Sequence, residues 1–420
     1  MNSSTATLPF HFLLLFLLLG LMGSASQSLA QSQATLVQSQ ATQLNTDSGG
    51  ATFDTTSSLT LDEKLGRMLM IGFRGTTLAE SGHIVRDLQD YHLGGVILFD
   101  YDVPSKSPVR NIVSPNQTEN LIRDLKATAT QPLLVAVDQE GGRVMRLKAD
   151  RGFETTPSAA ELARLLRKGK DSRSATSGSV TPSSAQPDTL KSILEAQARQ
   201  LQTLGFNINF APVADLNTNP DNPIIGRLGR SYSADPDTVT TLASAVIQAH
   251  LQHGILPVLK HFPGHGSAWN DTHLGMTDIT DTWSPDELIP YRNLLPSYPQ
   301  IGIMTAHVIH KGLDPDVPAT LSRAIQQDIL RSELGFRGPL FSDDMQMGAI
   351  RDHFGLRESI EKALLAGVDI LVFANNSVYD ANIVPTVLGV MKELMDEGVL
   401  TEERVNASVL RTAALYGDGL

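Results

Sequence analysis

The chain has 420 residues, a formal net charge of -12 and no cysteine. That length accommodates one large domain or two ordinary ones. The acidic balance argues against a nucleic-acid or anionic-membrane surface, and the missing thiols exclude a disulfide scaffold, a thiol nucleophile and a thiolate metal site.

Residues 1–30 carry no Asp, Glu, Lys or Arg. Leu8 to Met22 is an apolar run too short for a comfortable membrane span. Small residues follow it, and Ser28-Leu29-Ala30 before Gln31 resembles a signal-peptidase site. The pattern predicts a signal peptide over 1–30, with an uncleaved anchor as the alternative. The mature protein is then expected outside the cytoplasm of a bacterium, periplasmic or secreted, with no stable membrane association once the signal is cleaved. No cysteine follows the apolar run, which argues against a lipid anchor. Residues 31–58 are rich in Ser, Thr, Gln and Ala with almost no charge, the composition of a disordered linker.

From Leu59 onward strand and helix signals alternate. The apolar runs Met68–Gly72, Gly95–Phe99, Leu133–Val137, Ile208–Val213, Leu256–Leu259, Ile301–Met304, Pro339–Phe341 and Asp369–Phe373 read as strands. Amphipathic stretches lie between them, among them Thr189–Leu204, Thr238–Gln252, Arg323–Leu334 and Leu356–Ala366. Several stop at a glycine: Gly205, Gly254, Gly335 and Gly367. Such alternation predicts an α/β fold, a closed (β/α)8 TIM-type barrel forming a single catalytic domain over 59–420. A doubly wound open sheet is the alternative. Arg167 to Gln186, rich in Ser, Thr, Lys and Arg without periodicity, reads as a flexible insertion.

In such a barrel, polar residues just after each strand meet on one face. The densest set is Lys260-His-Phe-Pro-Gly-His-Gly-Ser-Ala-Trp-Asn-Asp-Thr-His273, at the end of a buried strand. Elsewhere come Asp138 to Arg146, Asp215, Arg230, His307, Asp343-Asp344 and Asn375-Asn376. Acids, bases and amides dominate, as a hydroxyl-rich neutral ligand requires. A sequon, Asn270-Asp271-Thr272, lies within the densest loop, where a glycan would block it.

The motifs Val137-Asp-Gln-Glu-Gly-Gly-Arg-Val144, Phe210-Ala-Pro-Val213, Gly229-Arg-Ser-Tyr232, Lys260-His-Phe-Pro-Gly-His-Gly266, Asp271-Thr-His273, Met304-Thr-Ala-His307 and Phe341-Ser-Asp-Asp344 together resemble glycoside hydrolase family 3. The likeness is specifically to its single-domain β-N-acetylglucosaminidases. The resemblance implies an exo-acting, retaining β-N-acetylhexosaminidase acting on peptidoglycan fragments or chitooligosaccharides, a carbohydrate-binding monomer without cofactor or metal. It implies Asp343 as nucleophile, His273 as acid/base and Asp271 as the group that orients it. Asp138, Arg146, Arg230, Lys260 and His261 are implied as sugar ligands, with His265 and Asp344 in support. The chain's end at Leu420 leaves no room for the second domain that supplies a catalytic glutamate in the family's β-glucosidases, which puts the acid/base role on His273. An export signal and the 167–186 insertion depart from the compact relatives.

Other readings of the same residues stand beside these. Within the family, a β-glucosidase or a phosphorylase uses the same motifs. A metal-dependent barrel hydrolase would take His261, His265, His273 and Asp343 as ligands. A degenerate barrel would be a non-catalytic wall-binding protein. Strand-end acids also commonly cap helices, His265 and His307 could be structural, and Trp269 could stack on a sugar or shield its loop.

Overall fold

The computed structural model describes residues 58–174 and 185–416. The expected signal peptide and nearly all of the expected linker lie outside them. Eight parallel strands form the central sheet. In chain order they are β1 (Leu69–Gly72), β2 (Gly95–Ile97), β3 (Leu134–Val137), β4 (Ile208–Asn209), β5 (Leu256–Phe262), β6 (Gly302–Thr305), β7 (Leu340–Phe341) and β8 (Leu371–Phe373). Each pairs with its sequence neighbour, and β8 returns to β1 with Leu69 opposite Leu371. The last seam, between β7 and β8, is closed by the bridge Phe341–Ile370. The sheet is therefore a (β/α)8 barrel.

Period-2 alternation divides the strand residues between two cores. Met70, Leu134, Ala136, Leu256 and Val258 point into the barrel, where they meet Ile97, Phe210, Met304, Phe341 and Val372. Leu69, Ile71, Val135 and Val137 point outward against the helices. Both faces are buried, which is why the strands read as unbroken apolar runs.

The helices begin where their caps dictate. Thr60 and Glu63 form a capping box on Leu61–Arg67, Ser114 caps Pro115–Thr128, and Asp235 caps Pro236–Gln252. The segment expected as an ordinary helix from Arg323 winds instead as a π-helix over Ala324–Glu333. The inserted segment is helical at both margins: one helix runs Ala159–Ser174 and the next Ala185–Leu204. Residues 175–184, its middle, lie outside the described residues.

Asp369, fully buried two residues before β8, fastens the closing seam. Its Oδ2 accepts the Leu340 N–H at 3.0 Å and Arg331 at 2.8 Å, and Arg411 and Ser408 bond its Oδ1. This clamp belongs to the end of the barrel away from the strand C-termini, where polar residues serve stability. No helix among the described residues is long and apolar enough to cross a membrane.

Candidate active site

A cavity of about 480 Å³ opens at the C-terminal ends of the strands. Ile97, Phe99, Phe210, Met304 and Val372 form its apolar floor, and Asp138, Glu140, Arg146, Arg230, Lys260, His261, His273 and Asp343 its polar walls.

Asp138 follows β3 directly. The chain then folds back as a ribbon, Gln139–Gly141 against Val144–Met145, which returns Arg146 beside Asp138. The turn needs its glycines. Gly141 and Gly142 have φ of 105° and 60°, and a Cβ on either would stand 2.3 Å from the Pro157 carbonyl or 2.4 Å from the Ser158 side chain. Gln139 Oε1 accepts the N–H groups of Arg146 and Leu147, both at 3.0 Å, and so locks the ribbon.

β5 runs on through Phe262, so Lys260 and His261 belong to the strand rather than to the loop after it. Consecutive strand residues normally face opposite ways. Both of these line the cavity, at the point where the β5–β6 register shifts between Leu259 and Phe262 and the Lys260–His261 peptide bond is cis.

These walls form one ion network. Lys260 Nζ donates to Asp138 Oδ1 at 2.9 Å and lies 2.7 Å from Glu140 Oε1. Arg146 donates to Asp138 Oδ2 at 3.2 Å. Arg230 forms a two-pronged pair with Glu140, both contacts 2.7 Å. Burial opposes ionisation of Asp138, but the Lys260 and Arg146 charges hold its carboxyl well below the usual range. Glu140 is lowered in the same way by Arg230 and Lys260, and Lys260 itself is raised by the two acids against the effect of burial. All stay charged near neutral pH. Three cations face two carboxylates, which leaves N–H donors free for hydroxyl and carbonyl oxygens.

Asp215, after β4, organises the next layer. It accepts the N–H groups of His261 and His265 at 3.2 and 2.8 Å, and the Nδ1–H of His261 at 2.6 Å. That bond leaves His261 Nε2 facing the cavity as an acceptor, 3.4 Å from Arg230. Burial raises the Asp215 carboxyl, but His261 outweighs it and brings it down to about 2.

Asp343 follows β7 and receives the Asp344 N–H on Oδ1 at 2.8 Å. Burial opposes its ionisation, but His307, His261 and His273 lie close enough to lower its pKa below the ordinary value. Asp344 behaves oppositely: burial raises it to about 6, although Ala374 and Gln346 donate N–H groups to it. His273 Nδ1 donates to Asp271 Oδ1 at 2.7 Å. Its imidazole is half-exposed; burial lowers its pKa, but the bond to Asp271 and the charges of Asp271 and Asp343 raise it on balance.

Every residue singled out for direct contact with a sugar or for attack thus meets the one cavity, and Asp271 stands behind His273 without lining it. His265 and Asp344 also line it. His307 and Asn375 are buried and bonded within the protein: His307 to Thr320 and the Asp344 carbonyl, beside Asp343, and Asn375 to Gly72 and Asp380. Trp269 is 64 % exposed and lies outside the lining. Glu140 went unnoticed in the sequence. Its spacing was the signal, since in extended chain it shares a face with Asp138. Among the described residues no group of three His, Asp or Glu side chains is arranged to hold a metal ion.

The profile of the glycosyl hydrolase family 3 N terminal domain matches residues 60–415. Beta-hexosaminidase LpqI of Mycobacterium tuberculosis is 34 % identical over 364 residues, which cover 84 % of this chain and 82 % of that one. Among solved structures, a family 3 β-N-acetylglucosaminidase from Paenibacillus superposes with a TM-score of 0.72 at 30 % identity. The match covers 85 % of this chain and 62 % of that longer one. The β-N-acetylhexosaminidase of Beutenbergia cavernae has the same TM-score at 25 % identity, covering 86 % of this chain and 99 % of its own.

Proposed function

The chain belongs to glycoside hydrolase family 3, and on that footing we propose that it is an exo-acting, retaining β-N-acetylhexosaminidase. One observation carries the reading: an ionised carboxylate, Asp343, and a carboxylate-supported imidazole, His273, share a cavity whose other wall is a network of fixed charges. The apolar floor makes the cavity blind, which suits removal of one terminal sugar at a time.

In the first step the free oxygen of Asp343 attacks the anomeric carbon. The bond to the aglycone breaks, and the His273 Nε2–H supplies the proton that the departing oxygen needs. Asp271 stabilises the imidazolium before transfer and keeps Nδ1 protonated throughout. In the second step His273 Nε2 takes a proton from water, the hydroxyl oxygen bonds to the anomeric carbon, and Asp343 leaves as carboxylate. Two displacements retain the β configuration. Asp138, Arg146, Arg230, Lys260 and His261 bind the ring hydroxyls and the acetamido group.

The relatives' names, beta-hexosaminidase and β-N-acetylglucosaminidase, support N-acetylglucosamine as the terminal sugar; peptidoglycan fragments or chitooligosaccharides are the substrates we propose. We assign residues 1–30 as a signal peptide, 31–58 as a linker and 59–420 as the catalytic domain, working as a monomer outside the cytoplasm. The test compares chromogenic β-N-acetylglucosaminide and β-glucoside, each with and without phosphate. Faster turnover of the acetamido sugar, unaffected by phosphate, is expected; preference for the glucoside or dependence on phosphate overturns the reading. Mass analysis of the secreted protein, expected to begin at Gln31, tests export.

A further inference from the structure

The loop that carries His273 is seated on the segment that carries Asp343. Gly348 donates its N–H to the His273 carbonyl at 3.2 Å, and Ala349 donates to the Thr272 carbonyl at 3.1 Å. These donors open a short helix, Gly348–Arg351, whose first N–H groups have no partner within the helix. The loop's carbonyls fill that role. On the far side Thr272, 1 % exposed, pairs its hydroxyl with His265 Nε2 at 3.3 Å. The segment is in turn tied to the nucleophile's neighbour, since Met347 donates to the Asp344 carbonyl at 3.0 Å.

The seat has no room for a side chain. A Cβ at Gly348 would stand 2.8 Å from the His273 carbonyl oxygen, 3.0 Å from the Leu274 carbonyl carbon and 3.1 Å from the Gly275 nitrogen. All three are main-chain atoms, so no rotamer change relieves the contact. Gly348 does not occupy the left-handed region, so its own conformation does not demand glycine. The close approach does.

We propose that Gly348 is a positioning residue for proton transfer: its bare Cα lets the His273 loop settle onto the Asp343 segment and sets where the imidazole stands relative to the nucleophile. The proposal rests on the functional reading given above. A methyl group there lifts the loop backbone while leaving Asp343 on its strand end. A displacement approaching 1 Å costs on the order of 10²-fold in a step that needs the displaced group. In kcat/KM, which reports the first displacement, only the acid function is felt, and a good leaving group departs without protonation; the base function in the second displacement falls on kcat of both substrates alike.

The experiment uses Gly348→Ala in the full chain, assayed on a dinitrophenyl and on an alkyl β-N-acetylglucosaminide, with the pH profile of each. Labelling of Asp343 by a 5-fluoro glycosyl fluoride, whose leaving group needs little acid assistance, reports folding and nucleophile together. The expected result is near-wild-type labelling, a loss in kcat/KM within about threefold on the activated substrate, and a further loss in kcat/KM on the order of tenfold to a hundredfold on the alkyl glycoside. Equal losses of kcat/KM on both substrates, or none on either, overturn the proposal. So does a variant that neither labels nor melts near the wild-type temperature, because Gly348 would then serve the fold rather than the acid step. Failure of the wild type to hydrolyse either glycoside sinks the functional reading, and the seat's role in it, before the variant is assayed.

Discussion

Asp271 holds His273 at two points: its Oδ1 accepts the backbone N–H at 2.8 Å and the imidazole Nδ1–H at 2.7 Å. One carboxylate oxygen thereby fixes the local turn, the tautomer and the ring orientation. The same bond makes the imidazolium harder to deprotonate. Burial lowers the His273 pKa, but the bond to Asp271 and the charges of Asp271 and Asp343 outweigh it. Loss of the proton marks the alkaline limb of kcat/KM, which is expected above the ordinary histidine pKa of about 6.5. Asp271→Asn removes the charge and should move that limb to lower pH, with a loss on the order of tenfold at alkaline pH. An unmoved limb on an alkyl glycoside would show that another group titrates there.

Asp344 also lines the cavity, but its Oδ1 is engaged by the Ala374 and Gln346 N–H groups and burial raises its pKa, whereas Asp138 and Glu140 are tied to Lys260, Arg146 and Arg230. Asp343→Ala should lower turnover by roughly 10³-fold or more and leave the melting temperature near that of the wild type. Peptide mapping after fluorosugar trapping should place the label on Asp343 in the wild type and nowhere in the variant. A label on Asp344 would reassign the nucleophile.

Glu140 is 6 % exposed at its side chain and neutralises both Arg230 and Lys260. Removing it leaves buried cations short of a partner. Glu140→Ala should cost about 3 kcal/mol in denaturant unfolding, and Glu140→Gln less, since the amide oxygen still accepts one bond. In Glu140→Gln the effect on activity should fall mainly on KM, as Arg230 and Lys260 lose their fixed positions. A purely kcat effect would mean that Glu140 acts on the reacting atoms instead.

Asp344 gives a stability prediction with a definite sign. Burial raises its pKa to about 6 from an unfolded value of 3.8. The folded state holds this proton more tightly, so the associated stability is fully present below about pH 4 and fades as pH rises through 6. Asp344→Asn removes the charge, and its amide oxygen can still accept the two backbone N–H groups. The variant should gain about 1–2 kcal/mol at pH 7.5 and little at pH 4, read from paired urea melts. A gain that does not depend on pH would rule out the buried charge as its source.

Much of the barrel was legible because its physics is local. All eight strands fall within or beside the expected runs, since a strand buried on both faces must be apolar throughout. Gly205, Gly254, Gly335 and Gly367 all have positive φ where the helices were expected to stop. The π winding over Ala324–Glu333 was not legible, because it preserves an amphipathic pattern. Nor was the extension of β5 through Lys260 and His261, because two polar residues look like loop when their partners are unknown.

The sequence alone determined which residue types were available to the site: its order of apolar runs and polar strand ends forces acids, amides and imidazoles to one end of the barrel. Only the tertiary structure decided who pairs with whom. Glu140 with Arg230, Asp215 with His261, and Gly348 with the His273 carbonyl join positions far apart in the chain. Charge pairing and close packing act through space, over a few ångströms, and that separation is set by barrel closure rather than by spacing along the chain.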